Sequence, residues 1–528
     1  MNKHIRSLLS ALLAALLLFS CAPKGEKPEA EAAPIEAETG VTGESDMNPY
    51  AYLGNNYTAD GETLTAAPSA GDKSDETFSG AFLLPESESD AWCAEITVTL
   101  DTLRSAAGLL FCASESEAYD GVEGYAFVVK DKRASLYDLT GSSFSGMIPK
   151  ELAHKSIERP KTGEPFRLRV EKNGKTYRCY YLDDMDGVDP WPEFEYILTE
   201  HRGVGVGATD NGHGASFSDL TVTPCEPVKT AAGQYTNPVF RDSQAADPGV
   251  LKVDGKYYCY STSAPIGYYV YVSDDLVHWT NEGLCMNEAW GLSRSGYYWA
   301  PEVVQRADGK FVMVASVEEH LGFAVADSPL GPFLPEKSWT FDKTIDGHIF
   351  LDDDGRGYLF CVSWRAGHDY GIWAYALEDD LVTVKEGTEV QVISPTDAWE
   401  QVSGRVTEGP FVLKHNGKYY LTYSGNGYDA KEYAVGYAVS DSPLGPYKKY
   451  AANPILSYTS KLYGPGHHSF TVSPDGSELI IVYHTHASTT AVHPRTICID
   501  RARFAPTASG VDRLEIFGPT HTAQEVPK

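Results

Sequence analysis

Five polar residues interrupt apolar segments in the part of this 528-residue chain that follows Asn237: Asp247, Glu302, Asp346, Glu408 and His467. Each lies seven to nine residues before the glycine of a turn-forming tetrapeptide, at Gly255, Gly309, Gly355, Gly417 and Gly476. A shared offset brings one group from each repeat to an equivalent point, so four carboxylates and an imidazole converge. Taken singly, each also reads as a strand-start residue at a channel mouth. As a set they do not, because like charges raise the cost of ionising one another. Paired carboxylates without a nucleophilic Ser or Cys motif suit hydrolysis of a glycosidic bond. One protonates the leaving oxygen and the other activates water. Crowding keeps the acid protonated near neutrality while a better-solvated base stays ionised.

The turns themselves define the elements that must position these groups. They read Val253-Asp254-Gly255-Lys256, Ala307-Asp308-Gly309-Lys310, Asp353-Asp354-Gly355-Arg356, His415-Asn416-Gly417-Lys418 and Pro474-Asp475-Gly476-Ser477. Asp-Gly and Asn-Gly supply the positive φ angles of a two-residue hairpin turn. An apolar strand follows each, such as Phe311-Val312-Met313-Val314 and Leu479-Ile480-Ile481-Val482. Asp327-Ser328-Pro329-Leu330-Gly331-Pro332 returns as Asp441-Ser442-Pro443-Leu444-Gly445-Pro446. The glycines recur every 46 to 62 residues, the period of propeller blades of about four strands. The strand before the first hairpin of each blade lines the central channel, which is where the five polar residues fall. The expected class is all-β: a five-bladed β-propeller over 235–528 behind an N-terminal β-sandwich (jelly roll) over 49–227.

At these residues the second module resembles glycoside hydrolase family 43, a five-bladed propeller family. The matching pieces are Ala246-Asp247-Pro248-Gly249, Trp299-Ala300-Pro301-Glu302-Val303, Ile345-Asp346-Gly347-His348, Thr407-Glu408-Gly409-Pro410, Gly464-Pro465-Gly466-His467 and Pro494-Arg495. The resemblance implies Asp247 as general base, Glu408 as general acid, and Asp346 as the residue that orients Glu408 and tunes its pKa. It implies that Arg495 contacts substrate or the acid, and that Glu302 supports the blade centre. No cofactor is required, but a structural calcium with His467 beside it is a possible feature of the propeller centre in this family. The family inverts at the anomeric carbon, so Asp247 and Glu408 are expected ~6.5–9.5 Å apart. Where the β-xylosidase form of the motif has proline after Asp346, this chain has Gly347-His348, so His348 either lines the sugar pocket or caps a strand. Arg405 is expected to face away from the axis. Trp299, Trp364, Trp399 and Tyr428 are candidate sugar-stacking rings, each with core packing as the alternative. His484 and His486 share a strand face and read either as a metal pair or as structural residues.

Ahead of the propeller, residues 49–227 alternate as strands. Ile96, Val98 and Leu100 oppose Thr97 and Thr99, and Phe166-Arg167-Leu168-Arg169-Val170 runs into an Asn173-Gly174 turn signal. One short helical turn is expected at 149–155. Gly124-Tyr125-Ala126-Phe127-Val128 and Gly203-Val204-Gly205-Val206, with Phe217-Ser218-Asp219-Leu220, resemble a concanavalin-type fold similar to carbohydrate-binding modules of family 66. A glycan site there would draw on Trp92, Tyr119 or Trp191; a structural spacer is the alternative. Residues 1–20 read as an export signal, with Lys3 and Arg6 before an apolar run too short to span a bilayer. Leu18-Phe19-Ser20-Cys21 resembles a bacterial lipobox, which implies a lipid on Cys21 and a membrane-anchored lipoprotein at the cell surface or in the periplasm. A plain signal peptide is the alternative. Residues 21–48 are an acidic, Pro- and Ala-rich tether. Eight further cysteines are scattered without a CxxC and suggest no zinc site.

With 43 basic and 73 acidic residues, the net charge of −30 excludes a generic nucleic-acid binder. The reading is an inverting, exo-acting glycoside hydrolase that releases pentose from plant polysaccharide, of α-L-arabinofuranosidase or β-xylosidase type. A retaining fructan hydrolase on a related propeller and a non-catalytic glycan-binding lipoprotein are the alternatives.

Overall fold

Two seven-stranded antiparallel sheets face each other in the first half of the computed structural model. The model describes residues 52–53, 56–60, 63–68, 79–83, 91–115, 122–139, 150–182, 192–198, 203–225, 233–240, 245–262, 267–286, 297–336 and 338–528. The expected signal, the tether with Cys21, and Tyr119 and Trp191 lie outside them.

Period-2 patterning produces the sandwich as expected. Along Ala91–Leu100, Ala94, Ile96, Val98 and Leu100 are buried, while the residues between them reach the outer face. Trp92 is buried against Phe111 and Tyr177, so it is core and not a sugar platform. The turn expected at 149–155 is instead the edge strand Lys150–Ser156, paired with Arg133–Asp138. Burial of both Leu152 and Ala153, with a partner strand, outweighed the local turn signal.

Five antiparallel sheets follow, the blades of the propeller. Their innermost strands are Gly249–Val253, Tyr298–Gln305, Thr344–Leu351, Thr407–His415 and Gly466–Val472, in blades I to V. Blades I and IV close their first hairpins with two-residue turns. Asp254 and Gly255, and Asn416 and Gly417, all have positive φ. Blades II, III and V use longer loops. There Asp308, Asp354 and Asp475 each accept a backbone N–H two residues on, and the glycine follows at positive φ.

The ring is closed between blades V and I. Ser469 Oγ donates to Pro248 O at 2.8 Å and accepts from Val250 N at 3.1 Å. Gln234–Tyr235 pairs with Gln524–Glu525, tying the start of the propeller to its end. Tyrosines fill the blades: Tyr257, Tyr260, Tyr268, Tyr423, Tyr433 and Tyr483 are among the largest fully buried side chains. The eight cysteines of the described residues are all free thiols.

The candidate active site

Near the start of each innermost strand an equivalent residue lies in the left-handed region: Asp247 (φ 50°), Ala300 (42°), Asp346 (56°), Gly409 (55°) and His467 (41°). In blades II to V it coincides with a register shift in the pairing with the second strand. A bulge of this kind re-aims the side chains next to it. This corrects the register expected from sequence. Asp247, Asp346 and His467 are equivalent, but Glu302 lies two residues deeper than Ala300, and Glu408 lies one before Gly409. Loop lengths that differ between blades moved the apparent offset.

Asp247 is held by four groups. Arg495 Nη1 and Nη2 reach its two oxygens at 2.6 and 3.2 Å, and Thr262 Oγ1 donates to Oδ2. His484 Nδ1 lies 3.0 Å from Oδ1, and His467 Nδ1 lies 3.4 Å from it. Burial works to raise this carboxyl, but Arg495, with His467 and His484, outweighs it and holds Asp247 well below the usual carboxylate range. His484 is itself driven down to about 3 by burial and by Arg495, so it faces Asp247 as neutral imidazole. Arg495 thus engages Asp247, and its guanidinium lies 4.8 Å from the Tyr428 ring.

The other two carboxyls have the opposite character. Asp346 accepts a hydrogen bond from Gly409 N at 3.1 Å, and its own N–H donates to Ser316 Oγ at 3.0 Å. Burial, reinforced by the charges of Glu408 and Asp247, pushes it well above its ordinary value. Glu408 accepts from Tyr433 Oη at 2.7 Å. Burial and Asp247 still raise it to about 7, against the Tyr433 hydrogen bond. Two glycines make this approach possible. A Cβ on Gly409, at positive φ, would sit 3.2 Å from the His467 ring; one on Gly466 would sit 2.4 Å from the Tyr433 ring.

The remaining predicted residues divide. Tyr428, 42% exposed, lies at the mouth. Trp364 stacks on Tyr370 at 6.2 Å, and burial, with the charges of Glu408 and Asp346, pushes the Tyr370 phenol up. Trp299 meets the exposed Tyr297 edge-on at 5.7 Å. Trp399 is a wedge behind blade IV, filling the space a Cβ on Gly425 or Gly436 would need. His348 is corrected: it is 3% exposed, with Nδ1 2.6 Å from Glu302 Oε1 and Nε2 accepting from Val412 N at 3.0 Å. Both ring nitrogens are engaged by protein, so it bridges blades II and IV and does not line a sugar pocket. Arg405 is exposed, reaching towards Pro395 O. His484 and His486 have separate partners: the first faces Asp247, and the second has Nε2 2.9 Å from Tyr428 O. Thr262, Tyr370 and Tyr433 carried no sequence signal, since none lies on an innermost strand. For His484 the signal was its alternation with His486, read for a different chemistry.

Calcium takes six to eight oxygen ligands at 2.3–2.6 Å. The axial cavity lined by Asp247, Glu302, Asp346, His467 and His468 measures about 20 Å³, room for about one water, and His467 Nδ1 is turned towards Asp247 and Asp346. One oxygen or nitrogen each of Asp346, Glu408 and His467 lies within 4.8 Å of the others, a spacing that could hold a metal ion, but three donors and that volume fall short of the six to eight ligands of a hydrated calcium ion.

The sequence profile of the glycosyl hydrolases family 43 matches residues 235–507, the propeller. A β-D-galactofuranosidase of Aspergillus niger is 30% identical over 300 residues, covering 51% of this chain and 82% of that protein. An extracellular exo-α-(1→5)-L-arabinofuranosidase of Streptomyces chartreusis is 29% identical over 276 residues, covering 47% and 82%. A crystal structure of a thermostable family-43 glycoside hydrolase superposes with a TM-score of 0.51 at 41% identity, covering 56% of this chain and 99% of that one. The matched stretch carries all three clustered carboxyls and the blades that position them, and the chain belongs to glycosyl hydrolases family 43, a glycosidase that cleaves glycosidic bonds in carbohydrate.

Proposed function

We propose that this enzyme is an inverting, exo-acting hydrolase that releases pentose, arabinofuranosyl or xylosyl, from plant polysaccharide. One observation carries the reading: within one funnel Asp247 is paired with Arg495 at 2.6 Å, which favours its ionised form, while Glu408 is buried and bonded by Tyr433 Oη, with its pKa raised to about 7. Asp247 then orients a water and accepts its proton as the water attacks the anomeric carbon. Glu408 donates its proton to the departing oxygen, and Asp346 positions Glu408 across blade IV. Arg495 keeps the base ionised and aimed. The sugar class is supported by the arabinofuranosidase relative. The galactofuranosidase relative favours a second reading, a hexofuranose in the same ring form. A panel of aryl arabinofuranoside, xyloside, galactofuranoside and fructoside tests both. Proton NMR of the first-formed sugar should show inverted configuration; a retained product rules out this mechanism.

Tyr433 supplies a sharper check. Its hydroxyl stabilises ionised Glu408, so Tyr433→Phe should raise the acid's pKa further. The alkaline limb of kcat/KM, which falls as Glu408 loses its proton, should move to higher pH. An unmoved limb would separate Tyr433 from the acid.

Lipid attachment at Cys21 is the accompanying proposal for location, motivated by Leu18-Phe19-Ser20-Cys21. Cys21→Ser should shift the protein from the membrane fraction to the soluble fraction; unchanged partition would exclude the anchor.

A further inference from the structure

A second cavity, of about 750 Å³, opens where the sandwich meets the propeller. The sandwich contributes His154 and Tyr196, and the propeller contributes Lys431, Tyr458, Ser460 and Tyr463. Its volume falls in the range of small-ligand sites. Most of the lining is polar, with hydroxyls, ammonium groups and an imidazole beside the carboxylate of Glu151, and a sugar chain offers donors and acceptors along its length to match such a surface.

The walls are fixed relative to each other. Ser460 N donates to Leu152 O at 2.7 Å, and Ala153 bridges to Thr459. Lys155 Nζ donates to Ile516 O at 2.9 Å, and Tyr196 Oη bonds Ser460 Oγ. The edge strand Lys150–Ser156 is therefore docked onto the catalytic propeller, and the cleft exists before any ligand arrives, which lowers the ordering cost of binding. The Lys431 ammonium is held 5.0 Å from the Tyr458 ring and 6.0 Å from the Tyr463 ring, and His154 meets Tyr458 edge-on at 4.8 Å.

The same segments form the back of the catalytic mouth. Gly464 N donates to Lys431 O at 3.2 Å, and His486 N donates to Tyr463 O at 2.9 Å. His486 Nε2 lies 2.9 Å from Tyr428 O, and the Tyr428 ring covers Arg495, which holds Asp247. Residues 428–431 and 463–467 thus have one side on the cleft and the other on the funnel.

We propose that this cleft is a second carbohydrate site, built jointly by the sandwich and the propeller. It holds an oligosaccharide stretch of the polymer whose terminal residue occupies the funnel. The assignment rests on the carbohydrate reading of the funnel but not on which sugar is cleaved.

The test uses the full chain carrying Glu408→Gln, titrated calorimetrically with arabino-, xylo- and galactofuranosyl-oligosaccharides of increasing length. All three series are used whichever aryl glycoside the wild type turns over, so a wrong sugar in the proposed function does not decide the result. In at least one series the affinity should rise about tenfold beyond the disaccharide. His154→Ala, from the sandwich, and Tyr458→Ala, from the propeller, should each remove that gain. Both should keep wild-type turnover of a small aryl glycoside in the otherwise native enzyme, which also reports that they fold. Length-independent affinity in all three series, or a gain that survives both substitutions, overturns the proposal.

Discussion

Asp247→Asn is expected to fold and to lose about 10²- to 10⁴-fold in kcat, the range for removing a positioned general base. The amide preserves the shape of the carboxylate and can still accept one hydrogen bond from Arg495 or Thr262, but it cannot take a proton from water. The loss should be the same for good and poor leaving groups, because attack by water is slowed for every substrate. A fall in Tm should accompany it. Asp247 and Arg495 are both largely buried, and removing one partner of a buried pair costs up to about 3–5 kcal/mol. Wild-type turnover in this variant would remove Asp247 from the chemistry.

Glu408→Gln should cost a similar ~10²- to 10⁴-fold, but only where the leaving group needs a proton. A dinitrophenyl glycoside leaves unaided and should retain most of its rate; an unactivated oligosaccharide should not. The pH profile separates the two carboxyls further. The active form of Glu408 is protonated, with its pKa raised to about 7, so wild-type kcat/KM should fall as pH rises above about 7. Asp247, held well below its usual range, remains ionised through that window and adds no limb there. In Glu408→Gln the alkaline limb should disappear. Equal losses for all leaving groups, or a surviving limb near pH 7, would reassign the acid.

Much of this architecture was legible in the residues alone. Asp254-Gly255 and Asn416-Gly417 demand positive φ in sequence, and they form the tight turns expected. The alternation from Ala91 to Leu100 encodes which face is buried. The polar residues before the first hairpins identified Asp247, Asp346 and Glu408 because each interrupts a local pattern. All of these are facts about a residue and its near neighbours, which the chain states directly.

Other features depend on where distant segments meet. Asp247 and Arg495 are 248 residues apart, and their pairing follows from blade V closing against blade I. His348 read as a pocket residue until Glu302 from blade II and Val412 from blade IV took its two nitrogens. Glu302 and Glu408 read as equivalent to Asp247 until the bulges set the register, since a shift of one residue turns a strand's side chains to the other face. Tyr433 reaches Glu408 because Gly466 leaves room for its ring. The cleft between sandwich and propeller belongs to neither segment by itself. The sequence determined the blades and the acids they carry, because turn angles and strand alternation are local. Which acid is ionised, and what surrounds it, was decided only by closure of the ring, because burial and charge contacts arise between residues that the chain order keeps far apart.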